Sequence, residues 1–164
     1  MPRVVLVNPQ IPPNTGNIAR TCAATNTELH LVGPLGFELS DRYLKRAGLD
    51  YWPHVKLYYY ENLEQFVSFQ KQQEGRLLGF SVRGKSCYGE CNFQENDWLV
   101  FGSETEGLPD KFREQCDQML YIPMPHPQVR SLNLSVSVAI GLFEALRQLD
   151  LSLIHISEPT RPIA

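Results

Sequence analysis

Three polar segments marked by glycine and proline interrupt an otherwise apolar, alternating chain: residues 9–20, 101–109 and 122–134. Their Asn, Ser, Glu and Arg side chains can form hydrogen bonds with a ligand, and their glycines let a ligand approach the backbone closely. Each segment is predicted to follow a strand, and ligands of α/β sheets bind beyond the carboxyl ends of the strands. The segments therefore predict one composite site and favour an enzyme.

The first segment is predicted to lead from a strand into a helix. Asn14 or Thr15 is expected to cap that helix, whose N-terminus attracts anions and polar groups. Asn17 and Arg20 lie one turn apart and share a face, although a surface ion pair would also explain Arg20. Neither the Gly-x-Gly-x-x-Gly fingerprint nor a P-loop ending is present here.

The second segment combines glycines with carboxylates. Gly102 and Gly107 permit tight backbone conformations, and Glu104 and Glu106 supply acidic groups. Carboxylates suit hydroxyl groups, amines or a cationic cofactor better than phosphate. The alternative is a turn whose acids cap the following helix, and we favour that interpretation for Glu106.

The third segment is a proline-rich loop that leads into a long helix. Proline stiffness favours a preorganised site. Ser131 and Asn133 lie at the helix entry, where they can cap the helix or bind a ligand. Capping alone would explain Asn133.

The elements that position these segments alternate along the chain. We predict strands at 3–8, 28–32, 55–60, 76–82, 97–101 and 119–122, and helices at 16–25, 40–47, 62–73, 109–115 and 134–149. This alternation predicts an α/β fold with a mostly parallel sheet and helices on both faces. The last helix is apolar around most of its circumference, so it is buried either in its own domain or against a second copy. Gly141 and Ala145 would let a neighbouring backbone approach closely.

Composition limits the classes of protein. The chain has 164 residues, of which 43% are hydrophobic, and this length predicts a single domain over residues 1–150. Residues 151–164 are expected to continue neither helix nor strand, and they resemble translated adaptor sequence. No signal peptide or membrane span is expected, which favours a cytoplasmic protein. The four cysteines are few, and their spacing with histidine predicts reduced thiols and no metal site.

The charge argues against a protein that coats nucleic acid without specificity. The net charge is -3 and the isoelectric point is about 5.8, whereas that binding mode neutralises many phosphates. A local basic patch is nevertheless predicted, because Arg42, Lys45 and Arg46 share one side of a short helix, close to Tyr51 and Trp52. Cations beside aromatic rings suit RNA. An ordinary solvated helix face is the alternative.

In order and spacing, the three segments resemble the motifs of the SPOUT superfamily of RNA methyltransferases. The matching sequences are IPPNTGNIAR at 11–20, FGSETEGLP at 101–109 and RSLNLS at 130–135, with further similarity at LGFE (35–38) and LKRAGLDY (44–51). The resemblance covers residues 1–149. It is greatest to the branch that methylates the wobble cytidine or uridine of tRNA.

The resemblance implies a trefoil knot in the C-terminal half, a homodimer, and S-adenosylmethionine bound in a pocket formed by the knot loops. The implied reaction is methylation of a ribose 2'-hydroxyl in the anticodon loop of tRNA. The residues expected to contact the cofactor, mostly through backbone groups, are Phe80, Gly102, Ile122, Met124, Ser131 and Leu132.

The resemblance also implies an activating role for Arg20, and we expect Glu104, Ser131 and Asn133 to be catalytic as well. Because the pKa of arginine exceeds about 12, Arg20 is a poor base. We expect it to stabilise developing oxyanion charge or to grip the adjacent phosphate, while Glu104 or Ser131 relays the proton. The expected tRNA-binding residues are Asn17, Arg42, Lys45, Arg46 and Arg83.

Two departures and two alternatives accompany the resemblance. Glu106 stands where related chains often carry arginine, and Phe143 where they often carry tyrosine. A non-catalytic dimeric RNA-binding or ribosome-assembly factor would keep the basic helix without binding a cofactor. A flavodoxin-like enzyme with a phosphate ligand would also use loops at strand ends, although no phosphate fingerprint is present.

Overall fold

The structure, a computed structural model, describes residues 1–40, 42, 46 and 51–154. Seven strands are present in these ranges: β1 Arg3–Val7, β2 Glu28–Val32, β3 Lys56–Tyr60, β4 Leu77–Phe80, β5 Ser86–Cys87, β6 Trp98–Phe101 and β7 Gln118–Tyr121. The α-helices with described bounds are α1 Pro12–Ala24, α2 Leu63–Gln70, α3 Asp110–Gln115 and α4 Leu134–Ile154. Short 3-10 turns occupy Trp52–His54 and Tyr88–Glu90.

All seven strands form one parallel sheet in the order β3-β2-β1-β6-β4-β7-β5. The predicted parallel α/β architecture is therefore confirmed. The order makes β1, β6, β4 and β7 consecutive neighbours, so their carboxyl ends share one edge of the sheet. The segments that follow β1, β6 and β7 are the three polar segments, and the fold brings them together.

Helices cover both faces of this sheet, as predicted. Alternate side chains of β1 point to opposite faces, because side chains alternate along a strand. Val4 and Leu6 pack in a cluster with α1 and α4, whereas Val5 and Val7 pack in a cluster with α2 and α3. The core thus has two layers, one on each side of a central strand whose residues Val4–Val7 are all buried.

The observed boundaries correct several predictions. Helix α1 begins at Pro12, four residues before the predicted start. Proline is well tolerated at the first helical positions, because a backbone N–H group there would have no partner within the helix. Helix α4 continues to Ile154, so the expectation that the chain continues no helix after residue 150 is wrong for residues 151–154. The two-residue strand β5 was not predicted, since so short a strand has no readable period.

The predicted helix at 40–47 lies mostly outside the described residues. Arg42 and Arg46 are both helical and exposed, and Ser40 lies in a turn. Lys45, the third member of the predicted basic patch, is outside the described residues.

Helix α4 divides into a buried face and an exposed one. Gly141 and Ala145 are buried in the helix's own domain, and Gly141 lies against the rings of Phe80 and Phe101. At Gly141 the closely approaching neighbour is thus a pair of aromatic rings and not the expected backbone. Val136 and Phe143 are 46% and 53% exposed, so an apolar strip remains on the surface. No helix within the described ranges has the length and apolar character to cross a membrane.

The four cysteines are free, and their thiols differ in environment. Burial raises the pKa of Cys22 and of Cys116 to about 12. At pH 8 a thiol with such a pKa is a thiolate in only about one molecule in 10⁴, and the thiolate is the reactive form. In timed alkylation with iodoacetamide, followed by peptide mass spectrometry, we expect Cys87 to react in the native protein and Cys22 and Cys116 only after unfolding. Equal native rates at Cys22 and Cys87 would contradict this.

Candidate active site

The loops at the carboxyl ends of β1, β4, β6 and β7 enclose a cavity of about 520 Å³. This volume lies within the range of small-molecule sites in proteins. The lining residues include Ile11, Asn14, Phe80, Arg83, Phe101, Gly102, Glu104, Glu106, Arg113, Ile122, Met124, Arg130, Ser131, Leu132 and Asn133. All three polar segments contribute, so the predicted composite site is present as a single cavity.

One wall of the cavity is apolar. The rings of Phe80 and Phe101 stack with centroids 4.5 Å apart and an angle of 17° between their planes. A Cβ atom on Gly141 would lie 2.8 Å from the Phe80 ring, so the glycine lets α4 approach the stacked pair. Ile122 and Leu132 extend this wall. The surface suits the flat, apolar faces of a heteroaromatic ring.

Every residue that the sequence assigned to cofactor contact lines this cavity. The set is Phe80, Gly102, Ile122, Met124, Ser131 and Leu132. Three of the four expected catalytic residues, Glu104, Ser131 and Asn133, line it as well. The structure thus brings most of the predicted site residues together, and their individual roles stay predictions.

The Glu104 side chain binds the backbone at the start of α1. One carboxylate oxygen accepts a hydrogen bond from the backbone N–H of Gln10 at 2.8 Å, and the other accepts from the N–H of Ile11 at 2.9 Å and from the Asn14 amide at 3.3 Å. The expectation that Asn14 or Thr15 caps α1 is wrong, because both lie inside the helix and no side chain of its own segment caps it. The Glu104 carboxylate of the second segment instead binds the N–H groups of Gln10 and Ile11, immediately before the helix.

A partly buried amide contact connects the first and third segments. The Asn133 Nδ2 donates to the Asn14 Oδ1 at 3.1 Å, while the Asn133 Oδ1 accepts from the backbone N–H of Ser135 at 2.9 Å. Asn133 therefore caps α4, as its position predicted. Because Asn14 is only 8% exposed and also contacts Glu104, the side chains of Glu104, Asn14 and Asn133 tie the three segments to one another.

The loop at 102–108 is held in a tight conformation. Gly107 has φ of +69°, a left-handed conformation that favours glycine, and Ser103 pairs with Gly107 in an antiparallel bridge. The Glu106 N–H donates to the Ser103 Oγ at 3.0 Å. The interpretation that Glu106 caps α3 is wrong, since α3 begins after Pro109 with no side-chain cap.

Arg20 lies outside the cavity lining, on the exposed face of α1 that it shares with Asn17. Its guanidinium sits over the Tyr51 ring, 4.6 Å from the centroid. It forms no ion pair with any residue that the structure describes, so the surface ion pair considered from the sequence is not observed. Among the expected RNA-binding residues, Arg83 lines the cavity.

Two arginines at the cavity were not predicted. Arg130 directly precedes Ser131 in the third segment, and this position is the only feature of the sequence that indicates its place at the cavity. Arg113 comes from α3 on the other face of the sheet, and the sequence gives no indication that it reaches the cavity. No three His, Cys, Asp or Glu side chains cluster as metal ligands within the described ranges.

A parallel sheet whose edge loops enclose one mixed apolar and polar cavity defines an α/β enzyme that binds a small-molecule cofactor. The family model of the SpoU rRNA Methylase family matches residues 1–143. The chain therefore belongs to the SpoU rRNA Methylase family, and this confirms the resemblance to SPOUT methyltransferases.

Individual relatives agree with the family. A protein of Synechocystis sp., provisionally named a tRNA (cytidine(34)-2'-O)-methyltransferase, is 65% identical over 149 residues, which are 91% of this chain and 97% of the relative. A solved structure described as giving insight into 2-OH methylation of C/U34 on tRNA is 48% identical, with a TM-score of 0.87, over 92% of this chain and 97% of that one. An AdoMet-bound rRNA methyltransferase from Sinorhizobium meliloti is 25% identical, with a TM-score of 0.78, over 90% of this chain and 56% of that one.

Proposed function

We propose that this protein transfers a methyl group from S-adenosylmethionine to the ribose 2'-hydroxyl of the wobble cytidine or uridine of tRNA. Membership of the SpoU family supports the reaction class. The names given to the Synechocystis relative and to the 48% identical structure support the nucleotide. The observation that carries the proposal is the convergence of all three motif segments on one cavity.

The residues around the cavity fit S-adenosylmethionine, which supplies a methyl group activated by a sulfonium. The Phe80, Ile122 and Leu132 side chains offer an apolar wall for the adenine, and backbone groups of the three segments can recognise its edge. Arg113 and Arg130 offer guanidinium groups for a carboxylate, which such groups bind with charge-assisted hydrogen bonds.

The proposed chemistry needs a positioned hydroxyl and a path for its proton. Ser131 is exposed at the cavity and is our candidate for the relay. Both oxygens of Glu104 already accept hydrogen bonds from the protein, so we now assign Glu104 a positioning role, together with Asn133. Positioning alone can supply much of the acceleration.

We propose that Arg20 contacts RNA that covers the cavity. It follows Asn14, which lines the cavity, by six residues along α1, or about 9 Å of helix. Asn17 lies between them in the sequence and shares the exposed side of α1 with Arg20. A nucleotide whose ribose enters the cavity would therefore place its own or the next phosphate near Arg20, where the guanidinium stabilises negative charge.

We propose a homodimer that uses the exposed side of α4. Val136 and Phe143 share this surface strip seven residues apart, and exposed apolar patches mark interaction sites. We expect Phe143→Glu to convert a dimer into a monomer in size-exclusion chromatography with light scattering. Phe69→Glu is the matched control, since Phe69 is partly exposed on α2 at the other face of the sheet. Retention of the dimer by Phe143→Glu would contradict the proposed interface.

We propose that Arg42 and Arg46, with Asn17 and Arg83, form the tRNA-binding surface, and that Lys45 belongs to it. Arg46 is exposed, and each lost phosphate contact lowers affinity and flattens its salt dependence. We expect Arg46→Glu to weaken tRNA binding about tenfold in filter-binding assays at 100 mM salt, whereas Lys111→Glu on α3 has no effect. Equal affinities of the two variants would contradict the surface.

Mapping the modified nucleoside tests the function. We would incubate the purified protein with total tRNA from a strain lacking the enzyme and with labelled S-adenosylmethionine, then locate the label by mass spectrometry. We expect 2'-O-methylcytidine or 2'-O-methyluridine at the wobble position. A non-catalytic RNA-binding factor would instead bind tRNA without binding S-adenosylmethionine in calorimetry. The trefoil knot and the cytoplasmic location stay predictions.

A further inference from the structure

A second cavity of about 560 Å³ adjoins the cofactor cavity across the loop at 103–108. Its lining residues are Asn8, Gln10, Pro34, Arg83, Ser103, Thr105, Glu106, Gly107, Leu108, Pro109 and Asp110. Arg83 and Glu106 line both cavities. Transfer to a 2'-hydroxyl places the ribose at the edge of the cofactor cavity, so the base attached to that ribose needs an adjoining space. The second cavity is such a space.

We propose that this second cavity receives the base of the target nucleotide and that Glu106 accepts a hydrogen bond from the amino group of cytosine. Glu106 would then be a specificity-determining residue that favours cytidine over uridine. The inference rests on the proposed function and assigns the preference between its two pyrimidine substrates.

Most side-chain amide donors at the second cavity are engaged by the protein, whereas carboxylates also line its wall. The Asn8 Nδ2 donates to the carbonyl oxygens of Val32 and Pro34, and the Gln10 Nε2 donates to the carbonyl oxygen of Asn8. The backbone thus engages both N–H groups of the Asn8 amide and one of the two of the Gln10 amide. The carboxylates of Glu106 and Asp110 remain at the cavity, and they can only accept hydrogen bonds when ionised.

The two acids of the second segment have different surroundings. The Glu104 carboxylate accepts three hydrogen bonds from the protein. The Glu106 carboxylate, by contrast, has no hydrogen-bond or ion-pair partner in the described part of the chain, and its residue is exposed. Its backbone is fixed through the Ser103 Oγ and the Gly107 turn. The backbone of Glu106 is therefore fixed, and its carboxylate is free to accept a hydrogen bond from a ligand.

The substituent at position 4 distinguishes the two pyrimidines. Cytosine presents an amino donor there, whereas uracil presents a carbonyl acceptor, and a carboxylate pairs with the former and repels the latter. A hydrogen bond to a charged group supports about tenfold discrimination. Arg83 in the same cavity supplies a cation that can hold the neighbouring phosphate.

The test compares three anticodon stem-loop RNAs that differ only in the target base: cytosine, uracil, or 2-pyrimidinone, which lacks any group at position 4. For each RNA we would measure kcat/KM for methyl transfer and, separately, the Kd by fluorescence anisotropy with S-adenosylhomocysteine present. We expect the wild type to prefer cytosine about tenfold over both other bases. In Glu106→Gln, whose amide can donate as well as accept, we expect cytosine and uracil to agree within about twofold and 2-pyrimidinone to have the lowest value.

The control is Glu114→Gln, because Glu114 is an exposed acid on α3 that lines neither cavity. It should keep the wild-type preference. A preference for cytosine that persists in Glu106→Gln, with unchanged affinity for S-adenosylmethionine, would overturn the assignment of Glu106. A wild type that methylates cytosine and uracil equally would overturn it as well. Methylation of none of the three RNAs would instead refute the proposed function.

Discussion

Replacement of Arg20 with alanine is expected to lower the rate of methyl transfer by a factor of about 10²–10³, the usual cost of losing a donor that stabilises a developing oxyanion. The 2'-oxygen gains negative charge as it loses its proton. The Arg20 guanidinium lies on the exposed face of α1, about 9 Å along the helix from Asn14 at the cavity, and we propose that it stabilises this charge in the complex with tRNA. Single-turnover assays with saturating tRNA measure this step directly. The affinity for S-adenosylmethionine should not change, because Arg20 does not line the cavity.

Two further variants separate charge from geometry. Arg20→Lys keeps a positive charge but loses the planar fork, so retention of most activity would favour simple charge placement. Lys111→Ala removes an exposed cation on α3 and should leave the rate unchanged. A full rate in Arg20→Ala would exclude Arg20 from the reaction, while a loss of tRNA affinity with an unchanged single-turnover rate would assign it to binding alone.

The location of the site could be predicted from the sequence, because the site lies at the carboxyl ends of strands that the sequence identifies. The unbroken apolar run Val4–Val7 identifies a buried strand, and the polar segment directly after it must lie at its carboxyl end. The same reasoning applies to the segments after β6 and β7. Periodicity does not fix the order of the strands, however. Only the structure places β6 beside β1 and β4 beside β7, and this order brings the loops into contact.

The contacts that hold the site could not be predicted in the same way. Glu104 and the N–H groups that it accepts from are more than 90 residues apart, and no local pattern encodes such a pair. The local pattern predicts that Asn14 or Thr15, the nearest polar side chains, caps α1. Pro12 and Pro13 start the helix earlier than that. The nearby side chains are therefore inside the helix, and a distant carboxylate becomes the acceptor.

The packing of helix α4 could also be predicted only in part. Its apolar residues indicated burial on most sides but did not distinguish the domain's own core from a partner. In the structure Leu142 and Ala145 face the sheet while Phe143 faces outward. Gly141, which looked like a contact for another backbone, accommodates the Phe80 ring. The rotation of the helix about its axis decides these outcomes, and it is set by packing against β4 and β6.

Replacement of Gly102 with alanine is expected to abolish cofactor binding. A Cβ atom at this position would lie less than 3.0 Å from backbone atoms of Gly107 and Leu108, closer than real Cβ atoms approach. Backbone cannot move aside as a flexible side chain can, so the loop at 102–108 must shift. This loop lines the cofactor cavity. We expect the affinity for S-adenosylmethionine, measured by calorimetry, to fall at least about 100-fold, which corresponds to about 2.7 kcal/mol.

The matched control is Gly89→Ala, since a Cβ atom at Gly89 has no neighbour within 4 Å. That variant should bind the cofactor with wild-type affinity. Thermal unfolding of both variants distinguishes a local effect from a global one. Gly102 follows a buried central strand, so some loss of stability is expected in Gly102→Ala, but a folded variant that does not bind the cofactor is the decisive result. Wild-type affinity in folded Gly102→Ala would mean that the loop at 102–108 does not form the cofactor site, and the Glu106 assignment would lose its structural basis with it.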